Sequence, residues 1–317
     1  MPSIRFNDQT LDYLPTETVL QCLLRHRQQI PHGCQAGACQ SCRVKVDGPL
    51  AAQQIHGAQR GLRPDELADG IALSCQLQPS EGLEIRSVSP KDSQHSASIV
   101  ARSALSERVW ELTLRTPLRW QAGQYFSVSV NGVDYRCYSA SNLADDGNLR
   151  LQLRRYEGGQ VSDALCRAEL GSEVKLQGPL GDFTLRSDAR TKRILLLGNG
   201  TGLAPLLALA QQALQELPAT PITLIHAYRS TQQPYHCTTL EKLAEQTDIT
   251  AASASWADGA ASELDDALDE LGALSDTACY LSGSTDFVRH YQRRLFMRGA
   301  SRSHIFCESF LDFTQRA

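Results

Sequence analysis

The spacing of apolar positions changes twice along the chain and marks out three regions. In the first, up to residue 88, Val19, Leu20, Leu23 and Leu24 recur at helical spacing, with Thr16 placed to cap the helix they predict. Arg86 to Ser98 then breaks the pattern with a polar run rich in serine, which reads as a linker. From Ile99 to about Ser187, alternating runs at Val109 to Leu114, Tyr125 to Val130 and Leu149 to Leu153 lie between Gly, Asn and Asp turns, predicting an antiparallel barrel or sandwich. From Lys192 onward, apolar runs at Ile194 to Leu197, Ile222 to Ile225 and Tyr280 to Leu281 alternate with helical stretches, the rhythm of a parallel α/β sheet. The predicted division is 1–88, a linker 89–98, then 99–190 and 191–317.

Composition narrows these regions to folded domains. With 42% apolar and 21% charged residues in 317, the chain is globular and long enough for two or three ordinary cores. A net charge of −4 says little about partners. No basic clustering on a helix marks a nucleic-acid reader, and no apolar run approaches the roughly 18 residues needed to cross a bilayer. The N-terminus reads as a strand and helix rather than a secretory signal.

Cys34, Cys39, Cys42 and Cys75 carry the strongest chemical signal. Their spacing is C-x4-C-x2-C followed by 32 residues to the last, the ligand pattern of a plant-type 2Fe-2S cluster. Four thiolates must converge on two bridged irons, and a tight loop supplies three while a distant strand end supplies the fourth. Gly33 and Gly37 fit a loop that needs positive φ and close approach. Zinc sites usually pair two short knuckles, whereas here the second half is Cys75 alone. The other six cysteines, Cys22, Cys137, Cys166, Cys237, Cys279 and Cys307, are scattered through apolar segments and read as reduced, mostly buried thiols in a cytoplasm.

Pro31 to Val44, with Leu73-Ser74-Cys75-Gln76, resembles the cluster loop of plant-type ferredoxins. The resemblance implies a β-grasp (α+β) domain with a helix before the loop. Gln40 stands where many relatives have a small, glycine-like residue, which bears on the cluster's hydrogen bonding and potential.

In the middle region, Arg136-Cys137-Tyr138-Ser139 is followed by Arg154, by Gly159, Gln160, Val161 and Ser162, and by Gly178-Pro179-Leu180-Gly181. Together these strings resemble the flavin domain of the ferredoxin-NADP reductase superfamily. The resemblance implies FAD, with Arg136 on the pyrophosphate, Tyr138 packed on the isoalloxazine and Ser139 near N5. The side chains suit those tasks: a planar guanidinium grips phosphate in a fork, and Tyr offers a flat apolar face. A helix starting near Ser162 would aim backbone N–H groups at phosphate. The third region holds Gly198-Asn199-Gly200-Thr201-Gly202-Leu203-Ala204-Pro205 directly after an apolar strand. This turn matches the G-x-G-T-G-x-A-P motif of the same superfamily and implies a doubly wound α/β domain for NAD(P)H. Ser282-Gly283 and Glu308-Ser309-Phe310 resemble its nicotinamide-side strings. Ser282 replaces a frequent cysteine, and seven residues follow Phe310. After the Ile222 to Ile225 strand comes Arg229-Ser230, with no carboxylate to accept a ribose diol. That alone points to NADPH, while the resemblance implies NADH.

The order ferredoxin, flavin domain, nucleotide domain resembles single-chain reductase components of bacterial multicomponent oxygenases. It implies that hydride passes from NAD(P)H to FAD, and that single electrons then leave through the cluster to a partner oxygenase. The resemblance gives catalytic positions to Tyr138, Ser139 and Glu308, and no general base is required; His32 and His226 read as structural or solvated. Two alternatives stay open: the same electron chain serving a deoxysugar dehydratase-type partner, and a redox sensor or free flavin reductase.

Overall fold

The structure, a computed structural model, describes residues 2–37, 40–48, 59, 62–88, 94–144, 147–186, 191–229, 235, 237–245, 249–256 and 262–310. Three sheets follow one another along the chain. The first has the order β2-β1-β5-β3-β4, built from β1 (Ser3–Phe6), β2 (Gln9–Asp12), β3 (Arg43–Asp47), β4 (Ile71–Leu73) and β5 (Glu84–Ser87). Helix α1 (Val19–Arg25) turns Val19, Leu20, Cys22 and Leu23 into its core. The cap is Thr18, not Thr16. Gln21 lies three residues after Thr18, so the Gln21 N–H donates to Thr18 Oγ1 at 3.3 Å while the Thr18 N–H donates to Gln21 Oε1 at 2.8 Å, a reciprocal box that Thr16 could not form. A short helix, α2 (Pro64–Ala68), precedes β4.

The second sheet is antiparallel and runs β10-β7-β6-β11-β8-β9. Its strands are β6 (His95–Ala104), β7 (Val109–Arg115), β8 (Tyr125–Ser129), β9 (Arg136–Ser139), β10 (Asn148–Arg154) and β11 (Glu173–Leu180). An antiparallel bridge between Ala140 and Leu151 joins its two ends and closes a barrel around Leu112, Leu114, Phe126, Val128, Leu151 and Leu176. The linker reading needs a correction here. β6 begins at His95, and residues 95–98 pair with β11, because Ala97 and Ile99 alternate inward while Ser96 and Ser98 face outward on a barrel strand, with His95 exposed at its start. Residues 89–93 of that linker lie outside the described residues.

The third sheet is wholly parallel, in the order β14-β13-β12-β15-β16. It comprises β12 (Arg193–Asn199), β13 (Ile222–Arg229), β14 (Ile249–Trp256), β15 (Thr277–Ser284) and β16 (Ile305–Phe310). The helices are α3 (Ser162–Arg167) in the barrel region, then α4 (Leu203–Glu216), α5 (Cys237–Ala244), α6 (Glu263–Glu270) and α7 (Thr285–Met297) between the parallel strands. Ile194 and Leu196 enter one core cluster with α4, whereas Leu195 and Leu197 enter another with Leu264, Phe287 and Tyr291, so β12 is buried on both faces. The chain proceeds outward from β12 to β13 and β14, then returns to β15 on the other side. The crevice at the carboxyl ends of β12 and β15 is therefore a topological switch point. Val109, Ala122 and Phe183 of the barrel region share the cluster of Ile194 and Leu196, which seats the parallel sheet against the barrel. Among the described residues no helix is long and apolar enough to cross a membrane.

Candidate functional site

Cys34, Cys42 and Cys75 are all buried; Cys39 lies outside the described residues. Cys42 directly precedes β3 and Cys75 closely follows β4. Antiparallel pairing of Arg43 with Leu73 brings these distant cysteines to one place. Both the N–H and the hydroxyl of Ser74 donate to Cys42 O at 2.9 Å. The surroundings favour thiolates. The Ala36 N–H donates to Cys34 Sγ at 3.4 Å and Gln76 Nε2 to Cys75 Sγ at 3.6 Å. A hydrogen bond from Cys42 leads in drawing the Cys75 thiol down to about 7, against the opposing effect of burial. Metal ligation needs that deprotonated form.

Among the described residues no three His, Cys, Asp or Glu side chains gather as a single ion would require. A 2Fe-2S cluster would instead take four thiolates, and the strand pairing that brings Cys42 and Cys75 together fits that need. The loop's left-handed residues are Gln35 (φ 51°), Gly37 (φ 80°) and Gln40 (φ 53°), so Gly33 does not take the positive φ expected of it. A Cβ on Gly37 would also lie 3.2 Å from Gln76 Cγ. Gln40 adopts the conformation a glycine would have made easy, and its side-chain oxygen accepts from the Arg43 guanidinium.

β9 presents Arg136 and Tyr138 on the same face by strand alternation and ends in the buried Ser139. Burial pushes the Tyr138 phenol well above its usual range, with Arg136 opposing and Tyr156 close by. Tyr156 is 44% exposed, and the Arg154 guanidinium lies 6.0 Å from its ring centroid. It thus joins Tyr138 to Arg154, a role signalled only by an aromatic residue directly after two arginines at a strand end. The turn Gly159-Gln160-Val161-Ser162 leads into α3. A Cβ on Gly159 would sit 2.9 Å from Tyr156 O, so glycine is required where the backbone folds back on itself. Ser162 Oγ accepts from the Tyr156 N–H at 3.2 Å, leaving the first turn of α3 without a side-chain cap.

At the switch point, β12 enters Gly198-Asn199-Gly200-Thr201-Gly202 and then α4. A Cβ on Gly202 would lie 2.3 Å from Ser282 O, and one on Gly283, at φ 141°, would lie 1.8 Å from Asn199 Oδ1. These contacts bind the two strand ends together. Asn199 Oδ1 accepts from the Ser284 N–H at 2.9 Å, and Asn199 Nδ2 donates to Ser284 Oγ at 3.2 Å. Ser282 is fully buried, and its hydroxyl has no hydrogen-bond partner among the described residues. A buried hydroxyl at the mouth of this crevice fits a site completed by a ligand. The Gly200 carbonyl is held from behind, by Tyr235 Oη at 2.8 Å and His226 Nε2 at 3.2 Å. His226 is therefore structural. Tyr235, which the pattern did not single out, also reaches Gln152 Oε1 of the barrel at 3.2 Å.

Glu308 pairs in register with Ser282, which brings its carboxyl to the same crevice. Burial, with Asp182 adding repulsion, pushes that carboxyl up to about 7 from its ordinary 4.5. Native protein therefore holds this proton longer than unfolded chain, and stability falls as pH rises from about 4.5 to about 7. Glu308→Gln should match the parent's melting temperature at about pH 4.5 and exceed it at about pH 8. Parallel melting curves across that range would show that Glu308 is not held in this state. Phe310 pairs with Ser284, and the residues after it lie outside the described ones. Arg229 is not gathered with the glycine turn: it lies two residues beyond Ala227, the partner of Asn199, with its guanidinium 5.5 Å from the Trp256 ring. Ser230 lies outside the described residues. Of the remaining cysteines, Cys22, Cys166 and Cys279 are buried as expected. Cys137 and Cys307 are exposed because each alternates outward on a strand, and the Cys237 side chain lies outside the description.

Three family models match the chain in order. They are a 2Fe-2S iron-sulfur cluster binding domain over residues 5–80, an oxidoreductase FAD-binding domain over 96–185 and an oxidoreductase NAD-binding domain over 196–293. The reductase subunit of an aromatic O-demethylase from Amycolatopsis sp. is 32% identical over 260 residues, 77% of each chain. A ferredoxin–NAD(P)+ reductase component of naphthalene 1,2-dioxygenase/salicylate 5-hydroxylase systems from Ralstonia sp. is 30% identical over 312 residues, 92% of this chain and 93% of that one. The chain belongs to this family of oxygenase-system reductases. A crystal structure of an Amycolatopsis cytochrome P450 reductase superposes on the reductase with a TM-score of 0.65 at 27% identity, covering 98% of this chain and 99% of that one. The reductase is thus an NAD(P)H-dependent oxidoreductase with domains for a 2Fe-2S cluster, FAD and the nicotinamide nucleotide. The expected three-part fold, with its barrel and doubly wound sheet, holds.

Proposed function

We propose that this reductase takes reducing equivalents from NADH at the β12/β15 crevice, holds them at β9, and delivers single electrons through the cluster loop to a separate oxygenase protein. Its acceptor and final substrate are defined by that partner. The observation that carries the reading is the position of the β8–β9 strand pair between the other two sites. Just before β9, the Tyr135 N–H donates to His32 O at 2.8 Å, two residues from Cys34. On β10, which the closing bridge sets beside β9, Gln152 meets Tyr235 behind the glycine turn.

The chain's own residues have separable tasks. Cys34, Cys39, Cys42 and Cys75 hold the two irons. Arg136, with Arg154 and the turn Gly159-Gln160-Val161-Ser162, grips the FAD pyrophosphate. Tyr138 supports the isoalloxazine face, and Ser139 donates at its reactive edge. Gly198, Gly200, Thr201 and Gly202 admit the nicotinamide dinucleotide close to backbone, while Ser282, Gly283, Glu308 and Phe310 line its reactive end. Arg229 stands where the adenosine ribose would end. The flavin, when bound, accepts hydride as a pair and releases electrons singly, and the protein's part is to orient donor and acceptor and exclude water. The division at residues 88 and 190, with the barrel beginning at His95, belongs to this reading, as does action in the cytoplasm, supported by Cys22, Cys137, Cys166, Cys279 and Cys307, which form no disulfide.

Steady-state assay of the purified protein with each nucleotide and with ferricyanide or cytochrome c tests it. NADH should give the higher kcat/KM, as the resemblance to oxygenase reductases implies. An advantage of about tenfold for NADPH would overturn the nucleotide assignment. Arg136→Ala should lose FAD on gel filtration and depress reduction of both acceptors; unchanged retention would remove Arg136 from the pyrophosphate site.

A further inference from the structure

Among the described residues the cluster loop is stitched to the barrel at two points, one on the turn that joins β8 to β9 and one on β8. At the first, His32 forms a parallel bridge with Asp134: its N–H donates to Val133 O at 3.0 Å and its carbonyl accepts from the Tyr135 N–H at 2.8 Å. The barrel hairpin is shaped in advance to receive it. Asn131 Oδ1 accepts from the N–H groups of both Val133 and Asp134 at 2.9 Å, and Asn131 Nδ2 donates to Asp134 at 2.7 Å. At the second point, Ser41 Oγ lies 2.9 Å from Ser127 Oγ, a buried pair separated by 86 residues. Ser127 is fully buried in β8 and pairs in register with Cys137, which sits between Arg136 and Tyr138. Ser41 directly precedes Cys42.

We propose that this seam fixes the cluster loop on the flavin-bearing strands, and that Ser127, through Ser41, is a positioning residue for the transfer of electrons from flavin to cluster. A hydroxyl buried in a barrel strand is costly unless bonded, and its bonding partner here belongs to the ferredoxin domain. The interface is thereby given one register. Electron transfer at this seam makes and breaks no protein bond. Bound flavin would supply two electrons and one proton, the proton leaving to solvent and the electrons passing singly to a cluster held by Cys34, Cys39, Cys42 and Cys75 and on to an acceptor that is thereby reduced; the seam's residues hold the two sites in place. This inference rests on the electron path proposed above.

The test uses the full chain with Ser41→Ala, Ser127→Ala, the double variant and Ser127→Thr. The first readout is amide hydrogen exchange at residues 30–35 and 131–136, measured on holo- and apoprotein. The second is the ratio of cytochrome c to ferricyanide reduction with NADH, because ferricyanide can meet the flavin directly. Ser41→Ala leaves the buried Ser127 hydroxyl without its bond across the seam, and Ser127→Ala removes the same bond from the barrel side. Exchange at Tyr135 should quicken about tenfold and the acceptor ratio should fall about tenfold, with ferricyanide reduction unchanged. The double variant should be no worse than either single one, and Ser127→Thr should restore both readouts. Unchanged exchange and ratio in both single variants, or losses that simply add in the double variant, would overturn the proposal. Should one variant fail to fold, the variant of the other serine still decides it. Failure of the broader reading looks different: the parent itself would then lack iron or flavin or fail to oxidise NADH, while exchange in the apoprotein would still report on the seam.

Discussion

Cys75→Ser should strip the ferredoxin domain of iron and leave the flavin in place. The parent is expected to carry about two iron atoms and two acid-labile sulfides per chain, with about one FAD. Cys75 is buried beside Cys42 at the start of the domain's core, and a serine there offers a hydroxyl that stays protonated where a thiolate is needed. Iron content and the visible absorbance of the cluster should fall to near zero. Ferricyanide reduction should stay within about twofold of the parent, whereas cytochrome c reduction should drop at least about tenfold, since protein acceptors depend on single-electron delivery. Zinc without labile sulfide in the parent, or full iron retention in the variant, would sink the cluster assignment.

What could be read in the sequence was mostly what glycine and cysteine enforce locally. Gly202 and Gly283 are required because any side chain would strike the neighbouring strand end, so the constraint is written at the position itself. The cysteine spacing was equally direct, because β3 and β4 are adjacent strands and their pairing register brings Cys75 to the loop. The start of β6 was misjudged for a different reason. A strand start of His95, Ser96, Ala97 and Ser98, in which Ala97 alone is buried, resembles a linker until its partners on β11 are known. Tyr235 behind the glycine turn, Tyr156 beside Tyr138, and Ser127 against Ser41 were invisible to spacing or motif. Each acts across a fold-dependent contact, and the hydrogen bonds of Tyr235 to Gln152 and of Ser127 to Ser41 span 83 and 86 residues. The helix cap shows the intermediate case: Thr16 and Thr18 are both plausible, and only the reach of Gln21 back to Thr18 separates them.

Removing the ferredoxin domain should leave an active flavoprotein, provided the cut respects β6. A fragment of residues 95–317 keeps the closed barrel, the parallel sheet, and Arg136, Tyr138, Arg154 and the glycine turn. It should fold, retain FAD, oxidise NADH and reduce ferricyanide at a rate near the parent's. Its reduction of cytochrome c or of a cognate oxygenase should fall at least about tenfold, because the domain that meets protein acceptors has gone. A fragment starting at residue 99 should behave worse. It loses four register pairs with β11, from His95 against Leu176 to Ser98 against Glu173, and it loses the buried Ala97. Its melting temperature should lie about 2–8 °C below that of the 95–317 fragment, as the loss of one or two kcal/mol predicts for a chain of this size. The two cuts separate the roles of the segments. Equal melting of both fragments would show that residues 95–98 contribute nothing to the barrel. Undiminished reduction of protein acceptors by either fragment would take the cluster off the main electron path, and would leave the flavin as the point at which electrons leave the protein.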